Sequence, residues 1–190
     1  DAMIRQPYNN NTIPFSDHNI PGIIYASDYD MGKIGYAYHD EDFADYHVAT
    51  NEFEAWNSGW KYRNDGVDIQ ENEDENGNGF HIGFTQKNEW VAFTVNIEES
   101  GFYDITTRYS STSSGYINFL INDQPISENI VLYNTGSFEN FINNTKSNIY
   151  LNAGIQNLKI KMVTAGYNLS NVSFEPSDQE IPDFSASYSE

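Results

Sequence analysis

The 190-residue chain carries 28 Asp and Glu against 9 Lys and Arg, a formal net charge of −19. Such a surface repels a phosphate backbone or an anionic bilayer, which argues against nucleic acid and membrane partners and leaves neutral ligands as the best fit. There is no Cys, so a disulfide framework, a thiolate zinc site and a cysteine nucleophile are excluded, while an aromatic content of 15% places the acidic charge on a folded surface.

In chain order, residues 1–19 contain Pro7, Asn9, Asn10, Asn11, Pro14 and Asp17 without apolar periodicity, and are expected to form an extended lead-in. Residues 20–175 are expected to form one domain, and the acidic stretch 176–190 a linker or tail. Within the domain the apolar pattern has period two. Trp90, Ala92 and Thr94 alternate with Val91, Phe93 and Val95, and Ile117, Phe119 and Ile121 alternate with polar neighbours. Further short runs rich in β-branched and aromatic residues lie at Tyr103–Tyr109, Ile149–Leu151, Leu158–Val163 and Leu169–Phe174, punctuated by Gly, Asn and Ser. No segment has an amphipathic helical stripe. Many short strands without intervening helices predict an all-β jelly-roll β-sandwich of two antiparallel sheets, with function on its loops. The stretch from Tyr38 to Trp60, rich in carboxylates beside Trp56 and Trp60, reads as an inserted loop near the functional rim.

Six carboxylates crowd residues 65–75: Asp65, Asp68, Glu71, Glu73, Asp74 and Glu75. A glycosidase pair needs one carboxyl raised in an apolar pocket, whereas this run ends in Asn76, Gly77, Asn78 and Gly79 and has the composition of a wet turn. Asp74, Asn76, Asn78 and Gly79 match the first half of an EF-hand calcium loop, leaving a weak alternative cation site. The twelfth position is Thr85 rather than a bidentate Glu, which favours a turn-forming loop. His18, His39, His47 and His81 lack zinc-ligand spacing and read as structural. No nucleophile elbow or phosphate-binding glycine loop is present.

Three blocks in order resemble the carbohydrate-binding modules of family 6, over most of residues 20–175. The first runs from Ile20-Pro21-Gly22 through Ala26, Asp28, Tyr29 and Asp30 to Tyr62-Arg63-Asn64-Asp65-Gly66-Val67-Asp68-Ile69. The second joins Ile82-Gly83-Phe84 to Asn88-Glu89-Trp90-Val91-Ala92-Phe93-Thr94-Val95. The third joins Thr135-Gly136-Ser137-Phe138 to Leu151, Ala153-Gly154 and Gly166-Tyr167-Asn168-Leu169. The resemblance implies a non-catalytic jelly roll that holds an appended glycoside hydrolase on a neutral polysaccharide, β-glucan first, outside the cell, with the signal peptide absent from this chain. It places a sugar clamp at Phe84 and Phe138, a hydroxyl-binding amide at Asn168, a polar contact at Gln70 and an added platform at Trp60. Both clamp residues are Phe where the family has Tyr or Trp, so the alternative of two core phenylalanines stays open. The family's structural calcium site falls on Tyr25, Ser27 and Ser170, without a carboxylate, and is expected to be lost. The alternatives in function are a structural domain with a degenerate cleft packed on a catalytic domain, a module for agar-type galactan or xylan, and an enzyme using the acidic loop.

Overall fold

The computed structural model describes residues 12–41, 62–63 and 66–179. Its strands are β1 (His18–Ile20), β2 (Gly22–Tyr25), β3 (Tyr38–His39), β4 (Ile69–Glu71), β5 (Phe80–Ile82), β6 (Trp90–Ile97), β7 (Gly101–Ser111), β8 (Gly115–Ile121), β9 (Gln124–Pro125), β10 (Ile130–Leu132), β11 (Ile142–Leu151), β12 (Gly154–Met162) and β13 (Tyr167–Pro176). The one helical element among the described residues is a single 3-10 turn, Ala26–Asp28. One sheet has the order β1-β6-β12-β8-β10, with β3 also on β6 and β9 on β8; the other has the order β11-β7-β13-β5-β4, with β2 also on β13.

Period-two burial explains why these segments pair. Val91, Phe93, Val95 and Ile97 of β6 face inward with Leu158, Ile160 and Met162 of β12, and meet Ile105 and Tyr109 of β7 and Val172 and Phe174 of β13 in one core cluster. The all-β jelly-roll sandwich expected from the sequence is the observed architecture. Its sheets are antiparallel except at one edge, where β1 runs parallel to β6 and His18 pairs with Val95. Strand β1 begins inside the stretch read as a lead-in, and Ile13 also exchanges backbone hydrogen bonds with Met31. This strand of three residues, His18-Asn19-Ile20, buries His18 and Ile20 around exposed Asn19, and with one apolar residue it is too short for alternation to be read from the sequence. The inserted loop is described only at its start, where Tyr38–His39 pairs with Trp90 and Val91; residues 42–61, with Trp56 and Trp60, lie outside the described residues.

Two buried polar groups fasten the connection around the 3-10 turn. Asp30 accepts the Thr94 amide at 2.9 Å and the Thr94 hydroxyl at 2.7 Å. Arg63 donates to the carbonyls of Ser27, Tyr29 and Asp30, and its guanidinium lies 3.6 Å from the Tyr29 ring centroid. A buried guanidinium whose donors meet carbonyls and whose face meets an aromatic ring is desolvated without being orphaned.

Candidate functional site

The site grows from the β4–β5 hairpin and its neighbour β13. Gln70 pairs with His81 across the hairpin, and Ile82 pairs with Leu169. Beyond β5 the chain turns sharply: Gly83 donates to the Asp68 carbonyl at 2.8 Å, and Phe84 takes the left-handed backbone, φ 47°. Buried Thr85 then locks the chain to the start of β13, its hydroxyl donating to the Tyr167 carbonyl at 2.6 Å and accepting the Tyr167 amide at 3.1 Å. A bulky residue at positive φ is uncommon and is held only where its surroundings over-determine it, as Thr85 does here. The result is a Phe84 ring aimed out of the sandwich, 51% exposed.

The second wall is the segment between β10 and β11. Thr135 bonds to Ser111 through amide and hydroxyl, Gly136 supplies a positive φ, and Phe138 follows at 41% exposure. The Phe138 carbonyl accepts two side-chain donors, the Ser110 hydroxyl at 2.6 Å and the Asn168 amide nitrogen at 3.1 Å. Ser110 and Asn168 are register partners on β7 and β13, so the Phe138 segment is tied to two adjacent strands at one level.

Between these walls lies a cleft of about 860 Å³, lined by Gln70, Phe84, Phe138, Asn168, His81 and the acidic residues Glu71, Glu73 and Asp74, among others. Phe84, Phe138, Asn168 and Gln70, separated by up to 98 positions in the sequence, therefore meet at one opening. The exposure of both rings argues against two core phenylalanines. Asn168 precedes the strand expected at Leu169–Phe174, yet it is a buried strand residue, 6% exposed, because β13 already starts at Tyr167. A Cβ at Gly83 would stand 2.6 Å from the Gln70 Oε1 atom and 3.4 Å from Asn168 Oδ1, so the missing side chain lets these two amides converge below Phe84.

His81, read from sequence as structural, belongs to the cleft lining. It is 5% exposed, its Nδ1 lies 3.0 Å from the Asn72 Nδ2 donor, and its ring meets Phe141 edge-on at 5.5 Å. Burial pushes its imidazole down to about 4, against the opposing pull of Asp74. No spacing rule could have found it, since its partners Asn72 and Phe141 are brought together only by the fold.

The acidic loop between β4 and β5 departs from a cation-binding arrangement. Both Asp74 oxygens receive Arg108, from Nε at 2.6 Å and Nη2 at 2.5 Å. Asn76 offers its carbonyl to the Asn171 amide, and Asn78 donates to Ser27 while accepting the Phe80 amide. Among the described residues, no group of three or more His, Cys, Asp or Glu side chains is placed to hold a metal. Tyr25 lies on β2 opposite Asn171, Ser27 in the 3-10 turn and Ser170 on β13, with both serines fully buried.

A family model described as carbohydrate binding module (family 6) matches residues 60–176, more than half of the chain. The chain belongs to carbohydrate-binding module family 6. No curated protein sequence matches it significantly. Solved structures share the fold. A family 6 module from Clostridium stercorarium in complex with cellobiose is 13% identical with a TM-score of 0.61, over 85% of this chain and 98% of its own. A β-1,3-glucan-binding family 6 module from Bacillus halodurans is 16% identical with a TM-score of 0.59, over 84% and 99%. A glycoside hydrolase family 43 arabinoxylan arabinofuranohydrolase from Bacillus subtilis, in complex with cellotetraose, is 12% identical with a TM-score of 0.60, over 85% of this chain and 28% of the enzyme.

Proposed function

We propose that this family 6 module binds a neutral polysaccharide, β-glucan first, in the cleft between Phe84 and Phe138, and holds an appended glycoside hydrolase on that polymer outside the cell. The observation that carries the reading is the pair of exposed rings at the mouth of one cleft with two amide side chains, Gln70 and Asn168, beneath them. An aromatic face packs on the C–H face of a pyranose while amides give and accept bonds to its hydroxyls. The charge of the lining supports a neutral ligand: Glu71, Glu73, Asp74 and Glu139 contribute carboxylates, and among the described residues the lining holds no Lys or Arg. The cellobiose and β-1,3-glucan named for the similar modules support β-glucan, and the arabinofuranohydrolase supports attachment to an enzyme.

Catalysis by the isolated module finds little support in the carboxylates. Burial raises the Glu89 carboxyl, as a general acid requires, but its oxygens accept the main-chain amides of Gln86 and Glu41, and it does not line the cleft. Asp74 is paired with Arg108 and held below its ordinary value. Titration calorimetry against soluble β-glucan, xylan, agar-type galactan and a polyuronate tests the proposal. Saturable binding to a neutral polymer with none to the polyuronate is expected; no binding to any polymer, or preference for the polyuronate, overturns it.

A further inference from the structure

The loop of residues 72–79 forms the acidic wall of the cleft and folds back over β13 and β7. At Gly77 the backbone lies so near β13 that a Cβ would come within 3.0 Å of the Ser170 hydroxyl. Calcium is the ion that the family resemblance raises for the ground beneath this loop, and the residues present do not fit it. Ser27 and Ser170 offer neutral hydroxyls rather than carboxylates. Ser27 Oγ already accepts the Asn78 amide at 2.9 Å, and Ser170 Oγ lies 3.3 Å from the Asn171 amide nitrogen. Donor groups already occupy the oxygens at this place: Asn78 donates to Ser27, Asn171 to the Asn76 carbonyl and Arg108 to Asp74, while the nearby Asp28 carboxylate accepts from Tyr62, Ser27 and Asn78.

The positive charge at this place comes from the protein. Arg108, on β7 opposite Asn171 of β13, grips both oxygens of Asp74 and reaches Asn143 of β11 at 3.0 Å. Its side chain is 14% exposed and that of Asp74 4%, so solvent screens the pair little. Two parallel N–H···O bonds fix orientation as well as distance, which a point charge does not.

We propose that Arg108 is the positioning residue of the cleft: through Asp74 it anchors the 72–79 loop without a metal and sets the wall against which the glycan lies. The second half of this statement rests on the glycan-binding reading above; the anchor does not. Burial alone would raise the Asp74 carboxyl, yet the hydrogen bonds and charge of Arg108, with the Asn76 amide, bring it below its ordinary value, as expected of a pair that holds.

Amide hydrogen exchange and laminarin titration on the whole chain, for wild type, Arg108→Gln, Arg108→Lys and Asp74→Asn, test the proposal. Arg108→Gln and Asp74→Asn are expected to speed exchange at the Asp74, Asn76 and Gly77 amides about tenfold while the β6–β12 ladder keeps its protection, and to weaken laminarin binding about fivefold. Arg108→Lys, which keeps the charge but not the fork, is expected to fall between them and wild type. Chelator is expected to change neither exchange nor affinity in the wild type. Unchanged loop exchange in both charge-removing variants, or a wild-type loop loosened by chelator, overturns the anchor; a loosened loop with unaltered laminarin affinity overturns its role in the cleft. Should Arg108→Gln fail to fold, the nearly isosteric Asp74→Asn decides the same question from the loop side. A wild type that binds no polysaccharide removes the glycan reading and the cleft role together, while the exchange data still decide the anchor.

Discussion

The Asn168 side chain donates its amide to the main-chain carbonyl of Phe138 at 3.1 Å, which couples the start of β13 to the segment that presents the second exposed ring. The side chain from which the resemblance expects a hydroxyl-binding amide thus sets the position of an aromatic wall. Its Nδ2 is committed to the protein, and Oδ1 remains toward the Gly83 side of the cleft.

Asn168→Ala is accordingly expected to lower both stability and affinity. The Phe138 carbonyl keeps the Ser110 hydroxyl as a second donor, so no acceptor is orphaned and the stability loss is about 1 kcal/mol rather than the larger penalty of an unpaired buried group. Denaturant titration and calorimetry on the same variant check this. Full affinity per folded molecule would reduce Asn168 to scaffolding, and unaltered stability would show that its bond to Phe138 contributes nothing.

Phe84 and Phe138 separate binding from folding. At φ 47°, Phe84 sits where a Cβ is strained and glycine is not, and half of its surface is already in water. Phe84→Gly is expected to leave stability within about 1 kcal/mol of wild type while removing most of one stacking surface, about 1–3 kcal/mol of affinity. Phe138→Ala is expected to behave alike. The fully buried Phe93 supplies the contrast, since Phe93→Ala should cost about 3–5 kcal/mol of stability. Fluorescence-monitored unfolding with glycan titration distinguishes them; a large stability loss in Phe84→Gly would return that ring to the core.

How much of this was legible in the sequence depends on how each feature is encoded. β6, β8 and β12 bury every second side chain, so alternation reveals them. β1 buries His18 and Ile20 but spans only three residues, too few for the alternation to show in the sequence. The family resemblance singles out Phe84, Phe138, Asn168 and Gln70, and the fold gathers these four at one cleft; the burial of Asn168 leaves no sequence signal because β13 begins one residue before it. The Arg108–Asp74 pair joins residues 34 apart through a loop folded over a sheet. A lone Arg in a strand carries no signal of that partner.

Gly83 tests the convergence of the two amides. An added methyl would meet the Gln70 Oε1 atom, the end of a flexible side chain, so the fold yields at little cost while the amide is displaced. Gly83→Ala is expected to unfold within about 1 kcal/mol of wild type and to bind glycan several-fold more weakly, about 1 kcal/mol for one misplaced hydrogen bond. Wild-type affinity in this variant would take Gln70 out of the recognition set.

The pH dependence of stability should carry the mark of His81. Its Nδ1 faces the Asn72 amide donor, and that amide is oriented by its own Oδ1, which accepts the Asp74 backbone N–H at 3.0 Å. The neutral ring thus bears its proton on Nε2, and a second proton on Nδ1 would point one donor at another. Burial adds to this and brings the folded value to about 4, against an ordinary value of 6.5. Between these values the unfolded chain binds the proton more readily than the folded one, so stability is fully present above about pH 6.5 and falls as the pH drops toward 4, by about 3 kcal/mol in all. Asp74, whose folded value is depressed, adds its own loss at lower pH as its pair with Arg108 is protonated away. Urea titrations at pH 7 and pH 4.5 on wild type and His81→Gln separate the two: the variant should lose most of the wild-type difference, and an equal difference in both proteins would place the acid sensitivity elsewhere.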